Sequence, residues 1–208
     1  SPEFASGTYY GEGDGFVAKF NASGGKAYST FIGGTASDGV TAISVDSAQV
    51  VAVTGWTNST NFGGGTLQGN SDAFLARLNS SGAWTSSKLM GGPEYDEGLG
   101  VVLDSTGQVT LAGITYSSNF PTTGEAYDLT YNGLGDAFLV RINASNQISY
   151  GTYLGGADKD SANALALDAN GFAYLAGSTR SADFPTTNGA FDTSLGGTQD
   201  VFYAQLLF

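Results

Sequence analysis

The sequence predicts an all-β protein built from repeated four-stranded antiparallel sheets, and three observations carry that prediction. One string recurs along the 208-residue chain: DGFVAKFNAS from Asp14, DAFLARLNSS from Asp72, DAFLVRINAS from Asp136 and a shorter DVFYAQLLF from Asp200. The steps between copies are 58, 64 and 64 residues, and self-similarity at a fixed period marks a repeat architecture. Between copies lie short apolar β-forming runs bounded by Gly, Asn, Asp and Ser, with no helical periodicity.

Other landmarks keep the same step. They are the pairs Gly33-Gly34, Gly91-Gly92 and Gly155-Gly156, then Asp38, Asp96 and Asp160, then Asp46, Asp104 and Asp168, and finally Gly55, Gly113 and Gly177. The repeats therefore run near 14–71, 72–135 and 136–199, with a partial copy at 200–208, in one domain spanning 5–208. FPTTGEAYD from Phe120 and FPTTNGAFD from Phe184 are one loop in successive repeats. The first repeat has NFGGGTLQG from Asn61 there and is six residues shorter.

Within a repeat the strands follow in order. In GVVLDSTGQVTLAGITYS from Gly100, an apolar run reaches Asp104, Ser105-Thr106-Gly107 turns the chain, and a second strand runs from Val109 to about Thr115. That is a hairpin. AFLVRIN, ending at Asn143, is a third strand, and QISYGTYL from Gln147 is a fourth. With the strands lettered A to D, the chain reads CD, ABCD, ABCD, ABC, which is 13 strands. Four short antiparallel strands per unit is the pattern of a propeller blade, and the continuous apolar runs suit sheets buried on both faces. Small residues in strand B (Ala112, Gly113, Ala176, Gly177) are expected where neighbouring sheets approach closely. About three blades make a partial propeller. It is either an open arc, a ring completed by a second chain through oligomerisation, or a three-sheet prism. Open ends favour self-association.

Composition excludes several function classes. The net charge is −12, from 19 acidic and 7 basic residues, which opposes binding to nucleic acid and to anionic membranes. The chain has no Cys and no His, so thiol nucleophiles, His-based triads and the usual zinc sites are ruled out. No apolar run is long enough for membrane insertion as a helix. The opening Ser1–Phe4 reads as a vector-derived scar. No signal peptide is evident, and targeting information is expected to lie outside this sequence.

Asp14, Asp72, Asp136 and Asp200 open strand C, with Lys19, Arg77, Arg141 and Gln205 five residues later. Residues repeated in every blade are expected to serve the blade, with the aspartates capping turns and the bases pairing with acidic neighbours. Asp46, Asp104 and Asp168 are turn formers. The Asn-x-Ser/Thr sites at Asn21, Asn58, Asn79 and Asn143 are read as turns. GGTASDG, GGPEYDE and GGADKDS are acidic loops between strands D and A. Asp38, Asp96 and Asp160 in them are the candidate metal ligands, calcium being the candidate cation because it takes several oxygen ligands; the alternative is turn capping. The FPTT loops, about 20 residues from Thr115 to Gly135, are long for a propeller, and long ordered loops are often functional. Tyr116, Tyr127 and Tyr131 are the candidate ligand-binding residues there, for a glycan or a protein ligand. Phe191 stands at the place of Tyr127. Phe120-Pro121 and Phe184-Pro185 are expected to tuck under the blade.

The string DAFLVRIN, TYLGG, ALALDANGFAYLAGST, DFPTT resembles the bacterial beta-propeller repeat abbreviated SBBP, and its first hairpin resembles the NHL-type blade. The resemblance covers nearly the whole chain after residue 13. It implies a propeller in a secreted or cell-surface bacterial protein and no defined activity. The leading expectation is a non-enzymatic module for binding, adhesion or envelope assembly. The alternatives are a self-associating structural array and a glycan-active enzyme with paired carboxylates, which would need two unlike carboxylates in a cleft.

Overall fold

The structure is a computed structural model that describes residues 9–207; the expected vector scar lies outside the described residues. Its strands are β1 (Gly15–Phe20), β2 (Lys26–Ile32), β3 (Asp38–Val45), β4 (Val51–Thr57), β5 (Asp72–Leu78), β6 (Trp84–Met90) and β7 (Asp96–Leu103). β8 (Val109–Thr115), β9 (Asp136–Ile142), β10 (Ile148–Leu154), β11 (Asp160–Leu167), β12 (Phe172–Thr179) and β13 (Asp200–Leu207) follow. They form sheets β1-β2, β3-β4-β5-β6, β7-β8-β9-β10 and β11-β12-β13, and every pairing is antiparallel. The expected CD, ABCD, ABCD, ABC order is the order observed. Each four-stranded sheet takes its A and B strands from before the recurring Asp-x-Phe string, its C strand from the string itself and its D strand from after it, so the blade is out of phase with the sequence repeat.

The sheets stack in chain order. β3 packs on β1 and β2, β7 on β3, β4 and β5, and β11 on β7, β8 and β9. Each interior strand is therefore covered on both faces, and β5 and β8 are buried at every residue. Three clusters fill the spaces between sheets. One joins Leu75, Leu111, Phe138 and Tyr153, a second Leu139, Tyr150, Leu175 and Phe202, and a third Val53, Phe62, Phe74 and Leu78. The end sheets lack this cover. Phe16 and Phe20 are exposed at one end, and Val201, Tyr203 and Leu207 at the other.

The turns follow the expected chemistry. Asp104 Oδ1 accepts from the backbone N–H groups of Thr106 and Gln108 at 2.8 and 3.0 Å, and Asp168 Oδ1 does the same for Asn170 and Phe172. Asn79 Oδ1 accepts from Ser81 and Ala83 N–H in the C–D turn, and Asn21 and Asn143 do likewise in theirs. The bases of strand C diverge from the acid pairing expected of them. Arg141 meets Asp104 at 3.4 Å, but Arg77 donates to the turn carbonyls of Gly107 and Asn143, and Lys19 donates to Gln49.

The strand-B glycines answer to their own sheet and not to the neighbouring one. Strand A carries a bulge beside each, between Val40 and Ala42, Gly98 and Gly100, and Ala162 and Ala164. The bulge turns a carbonyl inward, so a Cβ at Gly55, Gly113 or Gly177 would lie 1.9 to 2.0 Å from the oxygen of Gly39, Glu97 or Ser161. At Gly113 it would also meet the Phe138 ring at 2.9 Å. Gly113→Ala is expected to destabilise the fold by about 3 kcal/mol, the upper range for overpacking. Gly124→Ala, on a loop with nothing near its Cβ position, is expected to change stability by less than about 0.5 kcal/mol. Urea unfolding of the two variants checks both values.

Candidate functional site: a loop-face concavity and buried acid pairs

Asp38, Asp96 and Asp160, the candidate metal ligands, open strands β3, β7 and β11 and are buried. The structure does not bring them together, since each belongs to a different sheet. Asp96 Oδ2 accepts from Gly92 N–H and Ser117 Oγ, both at 2.8 Å, and its Oδ1 accepts from Thr115 Oγ1. Ser117 N–H closes the set by donating to Thr115 Oγ1 at 3.0 Å. Asp38 holds Gly34, Thr57 and Ser59 in the same way, and Asp160 holds Gly156 and Ser181. Each aspartate thus ties the D–A loop and the start of the B–C loop to the head of strand A. Among the described residues no three acidic side chains gather as a cation cage.

A second acid lies against each lock. Asp72, Asp136 and Asp14 accept through Oδ2 from the N–H four residues upstream, of Gln68, Asn132 and Tyr10 at 3.1, 3.0 and 3.0 Å. Their Oδ1 atoms are buried without a hydrogen-bond partner. A Cβ at Gly91 would lie 2.5 Å from Asp72 Oδ1 and 2.6 Å from Asp96 Oδ2. Gly155 stands in the same way between Asp136 and Asp160, and Gly33 between Asp14 and Asp38. The first glycine of every Gly-Gly pair is therefore the floor on which two carboxylates converge. Two like charges in a buried site cannot both ionise cheaply. Burial, opposed by Gln68 N–H and reinforced by Asp96, pushes the Asp72 carboxyl up to about 6. Burial, opposed by Asn132 N–H and reinforced by Asp160, Asp128 and Asp183, pushes Asp136 up to about 7. Burial raises Asp14 too, against Tyr10 N–H and with Asp38 adding.

Sequence reasoning put these aspartates in two unrelated sets. The signal that joins them was present: Asp14 to Asp38, Asp72 to Asp96 and Asp136 to Asp160 keep one offset of 24 residues, with a glycine before the second acid in each case.

The tyrosines fall in two places. Tyr131 is half-buried against the core with its ring 6.1 Å from that of Tyr153. Tyr116 faces Tyr95 edge-on at 6.2 Å, and Lys159 Nζ lies 5.5 Å from its centroid. Tyr95, whose hydroxyl donates to Glu97 at 2.9 Å, was not singled out by sequence, because it stands in one repeat only. Tyr127 is separate and 60% exposed. It borders a concavity of about 490 Å³ together with Asp128, Asn132, Asp183 and Pro185, with Gly155 and Gly156 also in its lining. The polar groups there are held in place. Asp128 accepts from Thr130 N–H at 2.8 Å and from Asn132 Nδ2 at 3.0 Å, and Asp183 accepts from Ala157 N–H at 2.9 Å. The FPTT phenylalanines do tuck under the blade: Phe120 is buried 4.4 Å from the Phe138 ring, and Phe184 stacks on Phe202 at 4.6 Å.

A stack of antiparallel sheets of two to four strands, three of them opened by an aspartate lock, has the make-up of β-propeller-type blades. Residues 150–185 match the SBBP family, described as a beta-propeller repeat. It is also 27% identical over 203 residues to the regulatory protein FlaEY of Caulobacter vibrioides, a match covering 95% of this chain and 20% of that protein. The chain thus spans about a fifth of the length of the curated relative it matches.

The acid pairs make stability depend on pH. Asp72 and Asp136 have folded values above their unfolded value of 3.8, so the folded state binds the proton more tightly. Their stabilising contribution is complete below about pH 4 and is lost as pH rises through 6 to 7. The melting temperature is expected to fall between pH 5 and 8, and the double variant Asp72→Asn, Asp136→Asn should flatten that slope. Scanning calorimetry at constant ionic strength checks it; an unchanged slope in the double variant would refute the assignment.

Proposed function

We propose that this chain is a non-enzymatic propeller module that binds a glycan on its FPTT loop face, as part of a secreted or cell-surface bacterial protein. The observation that carries this reading is the exposed Tyr127 ring beside Asp128, Asn132 and Asp183 in one concavity. An apolar ring with a few fixed polar groups is the usual make-up of a small-ligand site, and a sugar offers an apolar face to the ring and hydroxyls to the carboxylates. Binding is favoured over glycoside hydrolysis because the close pairs Asp72 with Asp96 and Asp136 with Asp160 are fully buried at the blade junctions, whereas that chemistry needs two carboxylates open to a sugar and a water. A relative that is a regulatory protein is in keeping with a module that acts by contact.

A second reading, a self-associating structural array, rests on the exposed end faces carrying Phe16 and Phe20 at one end and Val201, Tyr203 and Leu207 at the other.

Titration with a panel of soluble neutral and N-acetylated oligosaccharides, followed by NMR, tests the glycan reading. At least one sugar is expected to bind saturably, about tenfold more weakly to Tyr127→Ala, with the melting temperature unchanged and no product formed. Cleavage of the sugar, or binding indifferent to Tyr127, would sink the reading.

A further inference from the structure

Among the described residues the sheet β11-β12-β13 has no fourth strand, and a place for one is already shaped. In the preceding sheet β10 lies in a slot between β9 and the FPTT loop and is bonded on both sides. Along β9 it pairs from Leu154 opposite Ala137 to Ile148 opposite Ile142. On the loop side Thr123 N–H donates to the Gly151 carbonyl at 3.0 Å, and Tyr153 N–H donates to the Asp128 carbonyl at 3.1 Å. Gly151 N–H donates to Thr123 Oγ1 at 3.2 Å, and Asp128 N–H donates to Thr152 Oγ1 at 2.8 Å. Two tyrosines anchor the strand. Tyr153 is buried beside Phe120 and donates to the Ser117 carbonyl at 2.9 Å, while the Tyr150 hydroxyl accepts from Tyr127 N–H at 3.1 Å.

One repeat later the same walls stand with a groove of about 970 Å³ between them, bordered by the edge of β13 and by residues of the 184–196 loop. The loop keeps its form without a strand. Ala190 N–H donates to Thr187 O as Ala126 N–H does to Thr123 O. Ser194 N–H donates to Asp192 as Thr130 N–H does to Asp128, and Gly196 N–H donates to Asp200 as Asn132 N–H does to Asp136. Phe184 stacks on Phe202 as Phe120 does on Phe138. What differs is cover. Tyr203 is 67% exposed where its counterpart Leu139 is fully buried, and Phe191 is fully exposed.

We propose that this groove is a strand-acceptor site, and that its occupant is a strand D of an SBBP-type repeat with the chemistry of β10, aromatic-Gly-Thr-aromatic-Leu. β-Strand addition of this kind draws affinity from main-chain hydrogen bonds and specificity from side-chain pockets. Glycine is specified by the wall: a Cβ at Gly151 would lie 2.4 Å from the Pro121 carbonyl, and Pro185 repeats that wall. The corresponding residue of β6 is Ser87, and the loop facing β6 is the shorter one of the first repeat, where Ser87 Oγ donates to the Gly63 carbonyl instead. The strand that lies under an FPTT loop is the strand with glycine. The groove shares Tyr127 and Pro185 with the neighbouring concavity of the glycan reading, but the proposal rests on β13 and the 184–196 loop and not on that reading.

The test uses a fluorescent peptide of residues 146–156, NQISYGTYLGG, titrated into the intact chain, with NMR to locate the contact. Saturable one-to-one binding that shifts resonances of β13 and of residues 185–192 is expected. Replacing the peptide's Gly151 by Leu should weaken binding at least about tenfold. Thr187→Pro, which removes the donor and hydroxyl equivalent to those of Thr123, should do the same; Thr187→Val, which keeps the N–H, should weaken it less. No saturable binding, equal binding of the Leu peptide, or shifts confined to other sheets would overturn the proposal. So would a mass that doubles with concentration while β13 resonances shift without peptide, because the edge would then belong to a second copy. Loss of glycan binding in Asn132→Ala, a residue of the concavity that does not line the groove, with peptide binding retained would leave this proposal standing.

Discussion

The structure depends on a carboxylate buried at the head of strand A. Asp96 gathers Gly92 N–H, Thr115 Oγ1 and Ser117 Oγ, and those groups come from the loop before the strand and from the end of its hairpin partner. A propeller blade is a thin twisted sheet whose loops would otherwise be held only by backbone pairing. A buried acceptor left without donors is costly; burial pushes the Asp96 carboxyl above the usual carboxylate range, and the hydrogen bonds from Thr115, Gly92 and Ser117 oppose that rise. The lock therefore fixes both the D–A loop and the entry to the B–C loop with one side chain. The offsets of 19 and 21 residues between the aspartate and its Thr and Ser partners recur at Asp38 and Asp96. At Asp160 the Ser partner recurs at 21.

That lock sets the constraint on its neighbour. With its donors spent on Asp38, Asp96 and Asp160, each junction leaves the acid that opens strand C with one oxygen bonded and one oxygen facing another carboxylate. The strand-C arginines meet turns elsewhere: Arg77 donates to the carbonyls of Gly107 and Asn143, and Arg141 meets Asp104. The proton is thus the neutralising partner that the geometry offers, and the glycine floor lets the two carboxylates converge without a side chain between them. The acidic excess of the chain is therefore partly internal, which is a different matter from a solvated acidic surface.

The fold was legible because its period is covalent. Recurrence of Asp-x-Phe, Gly-Gly and the turn aspartates places 13 strands without any knowledge of tertiary contacts, and the hairpin residues Asp104 and Asp168 behave as their local chemistry says. The site was legible only in part. Tyr127 stands on the surface as its loop suggested, but Tyr131 turns inward, because strand D brings Tyr153 beneath it. Asp38, Asp96 and Asp160 read from sequence as loop acids that are either metal ligands or turn caps, since nothing local reveals that a Ser 21 residues on will close over each, joined at Asp38 and Asp96 by a Thr 19 residues on. The strand-B glycines read as sheet-to-sheet contacts for the same reason: the bulge that demands them belongs to the partner strand.

The FPTT loop and strand D form a matched pair, and this bears on how such repeats assemble. Strand D is held by its own sheet along one edge and by the loop along the other, so a blade is complete only when the segment following strand C returns under the loop that precedes it. A generic β-edge accepts almost any extended chain. An edge roofed by a loop whose proline carbonyl excludes side chains at one position accepts few. In β10 and its loop, Gly151 meets Pro121, and Tyr153 seats on Phe120 with its hydroxyl on Ser117. Repeats with the shorter loop carry Ser87 at that point and bond it differently. Variation in loop length therefore sorts which strand fits which blade. An array of near-identical repeats can keep its register by this means, although its sheets alone would not distinguish one neighbour from another.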